Sequence, residues 1–416
     1  MKILMLLRNE FINDHRVKKE AESLIKAGYH VTILAEKCHE NIPERQQING
    51  IEIVRFPVFS NRSNKVRAKG LHLLNSEIEK KSLKSKILMY YRRNPLRRFL
   101  LMAIKDLRFC IYTYKHIHKK DYRFVHAHDL ETLLLGYTVA KIKKIPIVYD
   151  SHELWQGSNF LLQRNVFSRN VILWTEKRLI RRVNAVIATN ESRAGVIQKT
   201  YRVAPPTIVR NVPKLSIPPR SNTLREKLSL DKNNIIVLYQ GLISKNRGIY
   251  YLVDSLKYVQ KKVHIVFLGS GDAVDELKLY VIDRGLKARV HFCNSVPVET
   301  LPLYTASADI IMATYLNSCA NHYYSSPNKI FEGIMAQVPL VMSNFPEMMK
   351  VAERGDVGEV VNPEDPIEIG RAINALTSDQ KRIEKIKKNC LDLAEKYYNW
   401  GIEEKKLIEL YNNLTI

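Results

Sequence analysis

Ser326, Asn328, Lys329 and Glu332 fall within one short stretch, Ser325-Ser326-Pro327-Asn328-Lys329-Ile330-Phe331-Glu332. Their types suit a phosphorylated sugar. Ser326 can cap the first free amides of a helix, and Pro327 fits the first helical position. Those amides and the partial positive charge of a helix start favour a phosphate. Lys329 adds a full charge in the first turn, and Glu332, three residues on, can accept hydrogen bonds from a ribose diol. The same residues also describe a capped surface helix whose Lys and Glu face water, and the stretch alone does not choose.

A second group lies in Gln240-Gly-Leu-Ile-Ser-Lys-Asn-Arg-Gly248, between a strand and a helix. Gly241 and Gly248 allow close backbone approach, while Lys245 and Arg247 supply cations, a composition suited to a diphosphate. The turn Leu268-Gly269-Ser270-Gly271 is a weaker signal, more often only a tight turn.

Histidines form a third group. Phe124-Val-His126-Ala-His128-Asp129 and Ile147-Val-Tyr-Asp-Ser-His152-Glu153 both read as strands whose C-terminal ends carry polar residues, where open α/β sheets bind ligands. The residue types would suit a metal. Strand alternation, however, is read here as sending His126 and His128 to opposite faces, so no metal is expected. His128 also fits a strand-end histidine satisfied by a backbone carbonyl. Near the N-terminus, Asp14 and Arg16 occupy the first strand–helix loop, as a substrate contact or simply as a cap or salt bridge.

The elements that must hold these groups follow from periodicity. Strands read at residues 3–7, 31–35, 124–128, 145–150, 185–189 and 207–211, with helical spacing between most of them. A Pro-rich linker occupies 213–220, and a second alternating run follows, with strands at 235–241, 263–269, 289–292, 308–312, 339–342 and 358–361. The expected organisation is an N-terminal domain over 1–212, the linker 213–220, a C-terminal domain over 221–395 and a terminal helix over 396–416. The chain is α/β, with two doubly wound sheets. A length of 416 residues suits two domains, and 45% apolar with 26% charged residues is globular composition. Five scattered cysteines form no zinc or redox spacing and read as reduced cytosolic thiols. The first loop lacks the glycines of a dinucleotide fingerprint, and no stretch is apolar enough to span a membrane.

The net charge of +24 calls for an anionic partner. Residues 61–120 hold 17 Lys and Arg against 3 Asp and Glu, interleaved with aromatic and aliphatic residues. That mixture suits helices on an anionic bilayer, and also an ordinary solvated helical pair. No nucleic-acid-binding pattern accompanies it, so nucleic acid is not the expected partner.

Pro327-Asn-Lys-Ile-Phe-Glu332-Gly-Ile-Met-Ala-Gln-Val-Pro339-Leu-Val resembles the donor-site signature of family-4 glycosyltransferases. Tyr-Asp-Ser-His152-Glu, the loop 240–248 and Asp14-x-Arg16-Val with Ala27-Gly28 are similar to other parts of that family. The resemblance implies the GT-B fold, with two Rossmann-like domains facing across a cleft and the terminal helix returning to the first. It implies retaining transfer of a sugar from a UDP- or GDP-sugar to a hydroxyl acceptor, with no metal and no cofactor. Glu332 would bind the ribose; Arg247 and Lys329 would hold the diphosphate, with Lys245, Gly241, Gly269, Gly271, Ser326 and Asn328 around the donor. His152 would lie by the reacting sugar, with Asp14, Arg16, His128 and Asp129 on the acceptor side. Two positions depart from the signature: Tyr324 replaces a Glu, and Gln337 replaces the Gly that favours a left-handed helix end. With the basic insert, a lipid-linked acceptor, a peripheral place on the inner membrane face and a role in cell-surface polysaccharide or glycolipid assembly are expected. A nucleotide-sugar 2-epimerase of the same fold and a non-enzymatic membrane-binding protein with a decayed donor site are the alternatives.

Overall fold

A computed structural model of the protein describes residues 1–12, 14–57, 95–118, 120–162 and 164–415, the side chains of 95–103 and Phe160 excepted. Most of the basic 61–120 segment lies outside the described residues.

The chain forms two compact units. One comprises Met1–Ser151, Thr175–Val186 and Leu414–Ile416, and the other His152–Trp174 and Ile187–Asn413. Eight strands make the first sheet: β1 (Lys2–Leu6), β2 (His30–Lys37), β3 (Arg45–Ile48), β4 (Ile51–Pro57), β5 (Phe124–His128), β6 (Ile147–Ser151), β7 (Ala185–Ala188) and β8 (Thr207–Ile208), in the order β3-β4-β2-β1-β5-β6-β7-β8. Among the described pairings of this sheet only that of β3 with β4 is antiparallel; β3 is a short and largely exposed edge strand, and neither it nor β4 was expected from the sequence. Six strands make the second: β9 (Ile235–Leu242), β10 (Val263–Ser270), β11 (Val290–Cys293), β12 (Ile310–Ala313), β13 (Leu340–Ser343) and β14 (Gly358–Val361), ordered β11-β10-β9-β12-β13-β14. Every pairing described in this sheet is parallel.

Parallel strands covered on both faces are apolar along their whole length, and these are. Ile3–Leu6, Ile236–Tyr239, Ile265–Leu268, Ile310–Ala313 and Leu340–Met342 are all buried. Within each sheet, parallel pairing sends strand C-terminal ends to one edge: residues 152–154 follow β6 in the first sheet, and the polar loops 240–248 and 314–328 follow β9 and β12 in the second.

Two helices outside the sheets bear on function. Pro95–Ile117 buries Phe109, which stacks on Phe56 at 4.4 Å, together with Thr113 and Ile117. It exposes Ile104, Leu107, Ile111 and Tyr114, spaced three and four residues apart and so along one side. Trp400–Asn413 lies beside β8, where Arg210 donates to Glu403 at 3.0 Å and the Trp400 amide donates to the Pro213 carbonyl at 2.8 Å. Among the described residues, no helix is long and apolar enough to cross a membrane.

Candidate functional site

The helix predicted from the Pro-Asn-Lys stretch spans Asn328–Met335. It starts one residue later than expected. Pro327 is the cap, in an extended conformation, and makes no side-chain cap bond. Ser326 does not cap the helix: its hydroxyl is taken by Asn190, whose Nδ2 donates to Ser326 Oγ at 2.8 Å and to the Tyr324 carbonyl at 2.9 Å. Asn328 is exposed, and its Oδ1 accepts from Asn211 at 3.2 Å. At the far end Gln337 adopts the left-handed conformation at φ 55° without being glycine, and the Val338 amide closes on the Gly333 carbonyl at 3.0 Å.

Lys329 does not face water. It is 6% exposed, with Nζ 3.4 Å over the ring of Tyr239 and 5.7 Å from that of Tyr315. Arg247 lies 4.0 Å over the Tyr315 ring. The two cations thus share an aromatic floor laid by the end of β9 and the loop after β12. Among the described residues, Lys329 Nζ and Arg247 Nε have no hydrogen-bond partner. Burial holds Lys329 well below the usual ammonium range; Arg247 pushes the same way and Glu332 opposes it. Glu332 accepts a short hydrogen bond from Gln240 Nε2, and Thr305 Oγ1 donates to Gln240 Oε1 at 3.0 Å. Gln240 thereby fixes the carboxylate from below.

Glycines shape the surrounding loops. A Cβ at Gly269 would meet the Gly241 carbonyl at 1.9 Å, and one at Gly271 the Ile243 carbonyl at 1.9 Å. Close approach of β9 to β10 accounts for both. Lys245 is 63% exposed and pairs with Glu276 at 2.6 Å.

Arg193, on the helix Glu191–Tyr201, was not singled out from the sequence, although it ties several parts together. It donates to the His152 carbonyl, to Thr189 Oγ1 at 3.0 Å, and to Asn321 Oδ1 at 2.7 Å. Asn321 Oδ1 also accepts from the Leu154 amide at 3.1 Å. The half-buried His152 loop is therefore fastened to the segment that leads into the Pro-Asn-Lys helix. His322 in that segment sits edge-on to Tyr315 with Nδ1 2.8 Å from Ser318 Oγ; burial, helped by Arg247 and Arg193, pulls its imidazole down to about 4. Tyr324, in the same segment, is half-buried.

In the first unit, Arg16 is buried rather than offered to a substrate. Its guanidinium grips both oxygens of Asp150 at 2.8 and 3.0 Å and forms an ion pair with Glu20 at 3.0 Å. Asp14 caps the helix His15–Lys26, accepting from the Val17 amide at 3.2 Å. Asp129 takes φ 61°, a strained value for a non-glycine residue, where β5 gives way to the next helix.

The expectation that His126 and His128 face opposite ways is wrong. Residues two apart on a strand share a face, and the two rings stack with centroids 4.2 Å apart. With Glu20 and Asp150 they bring four metal-type ligand atoms within 4.8 Å of one another, all buried. Arg16 already engages both carboxylates, leaving one negative charge beside the two rings.

Residues 220–391 match the family described as Glycosyl transferases group 1, and residues 84–212 match Glycosyltransferase Family 4. The UDP-Gal:alpha-D-GlcNAc-diphosphoundecaprenol alpha-1,3-galactosyltransferase of Escherichia coli is 23% identical, over 76% of this chain and 82% of its own length. The alpha-D-kanosaminyltransferase of Streptomyces kanamyceticus is 22% identical over 70% of this chain and 78% of its own. Among solved structures, sucrose-phosphate synthase of Thermosynechococcus elongatus superposes with TM-score 0.78 at 16% identity, covering 100% of this chain and 99% of that one. Anabaena Alr3699/HepE, solved with UDP, gives 0.72 at 17% identity, covering 99% and 100%. Likeness at that identity establishes the fold, which is GT-B.

Proposed function

The chain belongs to the group-1, family-4 glycosyltransferases, and from that premise we propose that it moves a sugar from a UDP- or GDP-sugar to a hydroxyl acceptor with retention of the anomeric configuration. One observation carries the reading: Lys329 and Arg247 are two neighbouring cations on an aromatic floor, and Lys329 Nζ is buried without a hydrogen-bond partner. Buried charges are ordinarily paired. A donor diphosphate, lying at the start of the helix Asn328–Met335, would complete both. Anabaena Alr3699/HepE has been solved with UDP and with UDP-glucose, which supports a nucleotide-sugar donor here.

In this reading Arg247, Lys329 and the amides at 326–328 stabilise the charge that develops on the departing diphosphate. Glu332, oriented by Gln240, anchors the ribose, so binding energy remote from the reacting carbon positions it. His152, held through its carbonyl by Arg193, stands by the reacting sugar. The leaving phosphate takes the acceptor proton, so no metal is required. Gly241, Gly269 and Gly271 lie along the donor, while Asp14 and Asp129 lie on the acceptor side; Arg16 and His128, both buried, support that side without being offered to a substrate.

The acceptor is proposed to be lipid-linked, in cell-surface polysaccharide or glycolipid assembly, with the enzyme peripheral on the inner membrane face. The relative from Escherichia coli acts, by its name, on a diphosphoundecaprenol-linked sugar. The exposed row Ile104, Leu107, Ile111 and Tyr114, on a chain of net charge +24, fits contact with an anionic bilayer.

The test is a thermal-shift panel of UDP, GDP, ADP, CDP and dTDP on wild type and Glu332→Ala. Stabilisation by one of them, lost in the variant, is expected. No shift with any of the five would contradict the donor site.

A further inference from the structure

Lys329 lacks what a buried ammonium requires. A charged amine offers three donors, yet among the described residues no acceptor reaches its Nζ. Its surroundings are the faces of Tyr239 and Tyr315, which replace only part of the lost hydration. The nearby Arg247 is a like charge, and Glu332, on the same helix, bonds to Gln240. With both cations charged, the nucleotide-free site would hold two positive charges against one carboxylate, around an ammonium that is itself buried.

We propose that Lys329 stands as the neutral amine in the empty site and takes up one proton when the donor diphosphate binds. The amine nitrogen gains an N–H bond from a solvent proton, nothing is oxidised or reduced, and the proton returns to solvent when the nucleotide leaves. The full positive charge is thus assembled only around the donor, where it serves the departing diphosphate. This inference rests on the donor-site reading.

The groups facing Lys329 are Tyr239 from β9, Tyr315 from the loop after β12, Arg247 from the loop after β9, and Glu332 from its own helix; His322 adjoins Arg247 and Tyr315. Burial pushes both phenols up and draws the His322 imidazole down to about 4. None of these three rings titrates between about pH 7 and 9, and Lys329→Met separates uptake by Lys329 from uptake by any other group, His152 included.

The test is calorimetric titration of the full chain at about pH 8 with UDP, GDP, ADP, CDP and dTDP, in Tris, HEPES and tricine. At that pH the terminal phosphate of the nucleotide, with a pKa of about 6, is already ionised. The slope of observed heat against buffer ionisation enthalpy should give close to one proton taken up per nucleotide bound. Affinity should fall up to about tenfold per pH unit above 8. Lys329→Arg, permanently charged, and Lys329→Met, never charged, should each bind with a slope near zero. Binding to wild type without proton uptake, or uptake that persists in Lys329→Met, overturns this inference alone. Absence of binding by all five nucleotides overturns the donor reading and this inference with it.

Discussion

Each sheet carries a buried cation cluster near its strand ends, and the two clusters are built on opposite plans. Arg16 sits between Asp150 and Glu20, with both carboxylates turned towards its guanidinium. Lys329 and Arg247 have aromatic rings where carboxylates would be expected, and the one nearby acid, Glu332, is bonded to an amide. A cation satisfied from within holds loops in place: the Arg16 pair joins the helix His15–Lys26 to β6. A buried cation without a carboxylate partner costs stability, and on the proposed reading it serves the donor diphosphate. The contrast separates architecture from binding more cleanly than residue type does.

Breaking the pair should cost most. Arg16→Met leaves two buried carboxylates unmatched, and a loss of about 3–5 kcal/mol in denaturant melts is expected. Lys329→Met should behave in the opposite sense, with an unchanged or raised melting temperature and a loss of about 100- to 1000-fold in transfer rate. If both variants lose stability equally, the two-plan distinction fails. Glu332→Ala should weaken nucleotide binding by about 1.5–3 kcal/mol, measured by titration calorimetry, through loss of charged hydrogen bonds to the ribose.

The contrast also has a pH signature. Between the depressed pKa of Lys329 and the ordinary value of about 10.4, the unfolded chain binds a proton that the folded one does not. Wild-type stability should therefore rise with pH in that window, by up to about 1.4 kcal/mol per unit relative to Lys329→Met, and level off outside it. Parallel stability curves for the two proteins would contradict a neutral buried amine. The smallest effect concerns the end of the same helix. Gln337→Gly relieves a left-handed glutamine and should add about 1 kcal/mol to stability without altering nucleotide affinity.

Much of this was legible in the sequence, for local reasons. Apolar runs marked all six strands of the second sheet and six of the eight in the first, because a strand covered on both faces shows little polar side; β3 and β4 escaped. The Ser-Pro signal placed the start of the helix Asn328–Met335 to within one residue, because proline suits a helix start. What escaped depended on distant partners. Asn190 took the hydroxyl of Ser326, so an expected cap became a tie across 136 positions of chain. Arg193, Gln240, Tyr239 and Tyr315 gain their roles only once separate strand ends are brought together. The aromatic residues beside strand ends were the available signal for the last two. The histidine pair was misread for a simpler reason: positions two apart on a strand share a face, and Glu20 and Asp150 then converge on that face.

The central claim is tested most directly by a crystal structure of the protein with the nucleoside diphosphate that binds it. Diphosphate oxygens within hydrogen-bond distance of Lys329 Nζ and the Arg247 guanidinium, with the ribose on Glu332, are the predicted result. A diphosphate bound elsewhere, with Lys329 still unpartnered over Tyr239, would contradict it.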